Sequence, residues 1–158
     1  MRVILREMIV RNFQGATHRH LKFNSKENII VGDNREGKTT LVNAYIWALS
    51  GKDSYDNAEF EIKALDGNNQ VIETLRRADH EVILKWEVDS VMTEIGRNYL
   101  ETWSSPKGAE PRHTGHTTTY SWNGVPIKTA TEFNERLRNV VDMEKIKLLS
   151  NSNYFHSL

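Results

Sequence analysis

Residues 28–49 read NIIVGDNREGKTTLVNAYIWAL. Gly32 is followed, after four residues, by Gly37-Lys38-Thr39, the GxxxxGK[ST] spacing of a phosphate-binding loop. The spacing has a mechanical reason. Successive backbone N–H groups curl around phosphate oxygens, and the helix that follows adds its positive N-terminal end. Gly37 stands where the backbone must approach the phosphate closely. Lys38 brings a point charge to the β- and γ-phosphates, and the Thr39 hydroxyl ligates Mg²⁺. The nucleotide-binding set read from the pattern is Gly32, Asp33, Asn34, Arg35, Glu36, Gly37, Lys38, Thr39 and Thr40, with Lys38 the catalytic residue and Thr39 the metal ligand.

Either side of the loop fits that reading. Ile29, Ile30 and Val31 make a short buried strand entering it. After it, Leu41, Ala44, Tyr45, Ala48 and Leu49 recur at helical spacing, while Val42, Ile46 and Trp47 make the opposite face apolar too. A helix apolar nearly all round belongs inside a layered α/β domain. Gly51 is its stop. Upstream, "RVILREMIVRNF" reads as a strand buried on both faces, with Val3, Leu5 and Ile9 opposite Ile4, Met8 and Val10. "THRHLKFN" alternates, with Leu21 and Phe23 on one face.

Beyond residue 55 the texture changes. "EFEIKAL", "HEVILKWEV" and "VMTEIGRNYLETW" read as strands, the last two joined by an Asp89-Ser90 turn. "SSPKGAEPRHTG" carries two of the chain's three prolines and reads as a mobile loop over about 104–115. "HTTTYSW" and "VPI" flank Asn123-Gly124, the strongest two-residue hairpin signal. Thr129 and Glu132 have capping-box spacing. Phe133, Leu137, Val140 and Val141 make the stripe of the helix they open, and Ile146 and Leu149 point inward from a second. The expected organisation is one lobe over 1–158: a P-loop core over 1–54, an antiparallel β region over 55–128, and helices over 129–158.

Composition narrows the classes further. The chain of 158 residues is one domain's worth, long enough to bury a core without staples. Twenty-one basic and 21 acidic side chains cancel, so charge alone points to neither nucleic acid nor membrane. The absence of cysteine rules out disulfides and thiolate zinc sites and suits a reducing compartment. Arg6, Glu7 and Arg11 interrupt the apolar N-terminus, which is not a signal sequence, and no apolar run is long enough to span a bilayer. The expectation is a cytoplasmic protein without a membrane partner.

A P-loop binds nucleotide; hydrolysis needs more. A carboxylate ending a second buried strand helps to hold Mg²⁺, and a further group orients the attacking water. "EVILKWEVD" is broken by Lys85 and Glu87, and "NVVDME" is too short. The catalytic half is missing from the pattern.

Several residue groups together resemble the N-terminal lobe of SbcC-type DNA-repair ATPases, relatives of SMC proteins and ABC transporter ATPases. They are "RNFQG", "IIVGDNREGKTTLVNAYIWALSGKDS", "FEIKALD", "RNYLETW", "TGHTTTYSWNGVPI" and "LLSNSNYFHSL". The fold implied is α/β, a P-loop NTPase half-domain of ABC-ATPase type with an added antiparallel β-sheet and C-terminal helices. In that family a distant second lobe carries the signature motif and the Walker B carboxylates, and two heads close around two ATP molecules. The resemblance thus implies ATP and Mg²⁺ as cofactors and a C-terminal lobe as partner. It also implies a head-to-head homodimer, a nuclease subunit, double-stranded DNA and a nucleoid-associated location. Gln14 stands where many relatives carry a basic residue near the nucleotide, Arg35 where a glycine is common, and Glu36 where a small residue is. The family's Q-loop falls in the last dozen residues, where Asn151 or Asn153 replaces the glutamine.

Two other readings of the loop stand beside this one: a self-contained P-loop kinase, and a binding module with a vestigial loop. His18/His20 and His113/His116 have spacings a metal can use, but no carboxylate or cysteine completes either set. Tyr99, Trp103, Tyr120 and Trp122 read as cross-strand packing rather than base stacking. Arg76, Arg77, Lys85, Arg97 and Lys107 read equally as a DNA-facing set or as a solvated face.

Overall fold

Two-residue turns set the register of the sheet. In the computed structural model, which describes residues 3–23 and 38–140, Asp89 and Ser90 take φ of 46° and 70°. They join β3 (His80–Val88) to β4 (Val91–Ser104), with Val88 opposite Val91. Asn123 and Gly124, at φ 50° and 78°, join β5 (Arg112–Trp122) to β6 (Val125–Ile127) in the same way. Positive φ at both central residues matches the natural twist of paired strands, and asparagine and glycine tolerate it best.

With β1 (Val3–Phe13) and β2 (Ala16–Lys22) the strands form one six-stranded sheet in the order β2-β1-β3-β4-β5-β6, every neighbouring pair antiparallel. The sheet runs straight across the expected division at 54/55, because β1 pairs with β3. Helix α1 (Lys38–Ser50) lies against one face over β1, β3 and β4, and α2 (Ala130–Arg138) against β5 and β6. The core between them holds Met8, Val10, Phe13, Val82, Leu84, Trp86 and Ile95 from the sheet. Leu41, Ala44, Ile46, Trp47, Ala48 and Leu49 come from α1, and Phe133 and Leu137 from α2.

Helix ends follow their sequence signals. The Gly51 N–H donates to Trp47 O at 2.8 Å with φ 75°, closing α1 with a left-handed residue. Thr129 Oγ1 accepts from the Glu132 N–H at 3.1 Å at the start of α2, while the Glu132 carboxylate turns to Arg136 at 3.2 Å instead of back to the cap.

Three expectations are corrected. β1 is not buried on both faces: its outward side carries Glu7, which meets His20 at 2.8 Å and Lys85 at 3.6 Å, and Arg11, which meets Glu81 at 3.6 Å. A β-bulge between Leu5 and Glu7 also shifts the alternation, so Leu5, opposite Trp86, joins Met8 and Val10 on the core side. "EFEIKAL" is not a strand. It makes one isolated bridge, Phe13 to Lys63, and a second from Leu65 to Val71. Its backbone is spent on the β1–β2 turn: Gln14 N donates to Ile62 O and Lys63 O, and Leu65 N donates to Gln14 O. The third concerns 104–115. β4 runs to Ser104, β5 starts at Arg112, and Ser104 and Trp103 pair with Arg112 and His113. Pro106 and Pro111 lie within a short connection over 105–111, and Gly115 sits inside β5 beside an irregularity at Thr102/Trp103.

Candidate functional site

The described part of helix α1 runs Lys38–Ser50, and its first described turn, Lys38, Thr39 and Thr40, contains no acidic residue. A helix N-terminus carries about half a positive charge and unpaired N–H groups, and nothing in this turn opposes an anion. Gly32, Asp33, Asn34, Arg35, Glu36 and Gly37 lie outside the described residues, as do the strand over 28–31, the Lys38 side chain, Val141, Asp142, Ile146, Leu149, Asn151 and Asn153. Thr39 and Thr40 are half-buried at the helix start.

The β1–β2 turn is brought against this end of α1. A Cβ added at Gly15 would lie 3.5 Å from Thr40 Oγ1. Gln14 takes φ 48°, and its side chain is engaged at both ends: Nε2 donates to Glu61 O at 3.1 Å and Oε1 accepts from Asn43 Nδ2 at 3.2 Å. Asn43 Oδ1 in turn accepts from Ser54 N at 3.0 Å. Gln14 therefore ties the turn, α1 and the chain leaving α1 together. Asn12, also at positive φ, donates to Asp79 O at 3.0 Å.

Among the described residues, neither a Walker B carboxylate nor a metal cluster joins this helix end. Asp89, at the end of "EVILKWEVD", occupies an exposed hairpin turn. His20 pairs with Glu7, His113 Nε2 meets Gly115 O at 2.7 Å, and His116 stacks on Tyr99 with ring centroids 4.6 Å apart. Tyr120 and Trp122 pack on Phe133 at 4.8 and 6.4 Å. Trp103 lies beneath Arg77 at 4.8 Å and Arg76 at 5.3 Å.

Two charged side chains of β4 are interior. Glu101 has a side chain with no exposure, held by Lys63 Nζ at 3.0 Å, Arg76 Nε at 3.0 Å and Trp103 Nε1 at 2.9 Å. Burial alone would raise its carboxyl, but the hydrogen bonds from Lys63, Arg76 and Trp103 outweigh that and hold it below the ordinary carboxylate range. Arg97, one of the arginines read as a DNA-facing or solvated set, is 7% exposed. It lies within 5.0–5.7 Å of the rings of Tyr120, Phe133 and Trp47. No periodicity flags either position as interior, because a charge there reads as an outward residue and alternation alone cannot show that it is buried.

With fold and helix end in hand, the class follows. The chain belongs to the AAA domain family, whose model matches residues 7–152. Within that class it is similar to RecF proteins. It is 25% identical over 100 residues to the DNA replication and repair protein RecF of Bacillus mycoides (strain KBAB4), covering 63% of this chain and 27% of the relative. It is 32% identical over 68 residues to that of Clostridioides difficile (strain 630), covering 43% of this chain and 18% of the relative. It thus spans about a quarter or less of the curated relatives' length. A solved structure of the recombination mediator protein RecF-ATP in the RecFOR pathway superposes with a TM-score of 0.59 at 20% identity, over 82% of this chain and 30% of the other. The RecF-ATPrS structure gives 0.57 at 19%, over 82% and 29%. At that identity the likeness is one of fold.

Proposed function

We propose that this chain is the ATP·Mg²⁺-binding N-terminal lobe of an SbcC- or SMC-like ATPase acting in DNA repair or DNA-end processing. The observation that carries the reading is that the GKT of the GxxxxGKT spacing runs into a helix, described over Lys38–Ser50, with no acidic residue in its first described turn. Family membership and the RecF relatives support it.

In this reading the loop residues Gly32, Asp33, Asn34, Arg35, Glu36 and Gly37 cradle phosphates with Thr40. Lys38 neutralises charge at the β- and γ-phosphates, and the Thr39 hydroxyl helps to hold the magnesium ion. Bound Mg²⁺ supplies charge neutralisation at the phosphates. The chain is one lobe over 1–158. Hydrolysis waits for a C-terminal lobe with signature motif and Walker B carboxylate, and for head-to-head closure, driven by contacts made only to the γ-phosphate. Gln14 acts through position, setting the β1–β2 turn against α1, and Asn153 stands in the Q-loop. A nuclease subunit and double-stranded DNA complete the cytoplasmic, nucleoid-associated assembly.

The test is the melting temperature of the chain against rising ATP·Mg²⁺, beside Lys38→Ala. At a hundredfold excess over the dissociation constant, a competent site adds about 2.7 kcal/mol. A shift in wild type that Lys38→Ala abolishes supports the reading. If wild type does not shift, alone or with a supplied C-terminal lobe, the loop is vestigial.

A further inference from the structure

The far end of α1 carries a second feature, roughly 20 Å along the helix from Lys38 at 1.5 Å per residue. A cavity of about 320 Å³ opens there, walled by Trp47, Gly51, Phe60, Tyr99 and Tyr120, with Arg97 among them. That is the lower end of the size range of small-molecule pockets, roughly 300–1,000 Å³.

Arg97 is its unusual member. Nε donates to Ala48 O at 3.4 Å, capping the C-terminal end of α1. The two terminal nitrogens, which carry four of the five N–H donors, have no hydrogen-bond partner among the described residues, and no carboxylate there lies within ion-pair distance. Nη1 lies 2.7 Å from where a Cβ on Gly51 would be, so any larger residue there would make the guanidinium shift. Burial pushes the Arg97 pKa down to about 10. A buried arginine is ordinarily paired.

The other charges around the cavity are already engaged. Lys63, on the rim, is committed to Glu61 at 3.1 Å and Glu101 at 3.0 Å, and Arg76 to Glu101 at 3.0 Å. Those two cations and two anions cancel. Among the described residues Arg97 has no carboxylate within ion-pair distance; Glu59 and Glu61, also in the lining, balance the overall charge, so what Arg97 offers is unused N–H donors facing the cavity and not a net positive field.

We propose that this cavity is a binding site for a single carboxylate carried on an aromatic or apolar group, received by the terminal nitrogens of Arg97 as a two-pronged hydrogen-bonded pair. The planar fork of a guanidinium matches a carboxylate, and Trp47, Tyr99 and Tyr120 offer ring faces to the group that bears it. The carboxylate has two possible sources, a free organic acid or an acidic side chain on a protein segment.

The experiment titrates the chain with indole-3-acetate, its neutral isostere indole-3-acetamide, inorganic phosphate, and acetyl-Trp-Glu-amide, whose one carboxylate is a side chain. Chemical shifts of the Trp47 indole N–H and the Arg97 side chain are the readout. The acid or the peptide should bind at least about tenfold tighter than the acetamide, and Arg97→Lys, which keeps the charge and loses the fork, should remove that margin. Ala58→Trp adds bulk at the exposed rim, away from the core, and should block binding while leaving the ATP-dependent melting shift intact. Binding by the free acid alone identifies a small-molecule ligand; binding by the peptide alone identifies a protein segment. The proposal is overturned if acid and acetamide bind alike, if binding survives Arg97→Lys, or if phosphate binds more tightly than the carboxylates. It also fails if neither carboxylate titrates folded wild type up to about 10 mM.

Discussion

Two buried charges lie four residues apart on the core side of β4, and the structure treats them oppositely. Glu101 is surrounded by donors from three segments: Lys63 from the chain after α1, Arg76 beside the short 3₁₀ turn Glu73–Leu75, and Trp103 from its own strand. Arg97 receives one carbonyl and three aromatic rings. A buried ion with all its partners acts as a bolt, since removing it strands the others. A buried ion with spare donors contributes little to the fold and has bonding capacity left for something else.

The largest effect that can break this contrast is at Glu101. Glu101→Gln keeps the shape but leaves Lys63 and Arg76 without their shared anion. Breaking a buried pair costs about 3–5 kcal/mol, and the lower end applies because Arg76 is 27% and Lys63 11% exposed. Urea or thermal unfolding should show a loss of about 3 kcal/mol, near 6–12 °C at this chain length. A loss below about 1 kcal/mol would remove the bolt from the comparison.

Acid titration probes the same carboxylate. Its folded pKa is lowered, so the stability it contributes is complete above the ordinary value of 4.5 and is lost as pH falls through the folded value. Glu7 is lowered as well, first by the hydrogen bond from His20, and adds in the same direction. Glu81 is raised by burial and opposes them: its ionised form is disfavoured in the fold, and protonation relieves that cost. Unfolding measured as pH falls below 4.5 should show stability falling in wild type and less steeply in Glu101→Gln, while the gain from protonating Glu81, which begins above 4.5, should be absent in Glu81→Gln.

A smaller effect sharpens the Arg97 side. Thr129→Ala removes the cap of α2, whose Phe133 forms one wall of the Arg97 cage, and should cost about 1 kcal/mol by unfolding. The smallest change is expected at Arg97 itself. Arg97→Met loses the Ala48 contact and the cation–π contacts but also loses the desolvation penalty, so stability should stay within about 1 kcal/mol of wild type. A loss matching that of Glu101→Gln would mean that the two charges are equivalent after all.

Local chemistry made much of the fold readable. The Asp89-Ser90 and Asn123-Gly124 turns, the Gly51 stop and the Thr129 cap each depend on what one or two residues permit the backbone, and each stands where the sequence puts it. The strands β3 and β4 follow from alternation alone. The bulge at Leu5/Glu7 has no such signal, since any residue can be the extra one. "EFEIKAL" alternates like a strand, yet its hydrogen bonds are taken by Gln14 on a distant turn.

The candidate sites divide along the same line. By itself the sequence determined the phosphate-loop spacing and the helix behind it, because a P-loop is a contiguous stretch of backbone whose chemistry lies in the order of its residues. Tertiary structure alone decided that β1–β2 and β3–β6 share one sheet, that Gln14 fastens the turn to α1, and that, among the described residues, Glu101 has charged partners while Arg97 has none. Those outcomes depend on which segments the sheet brings within about 3 Å of one another, a matter of long-range packing that no local pattern records.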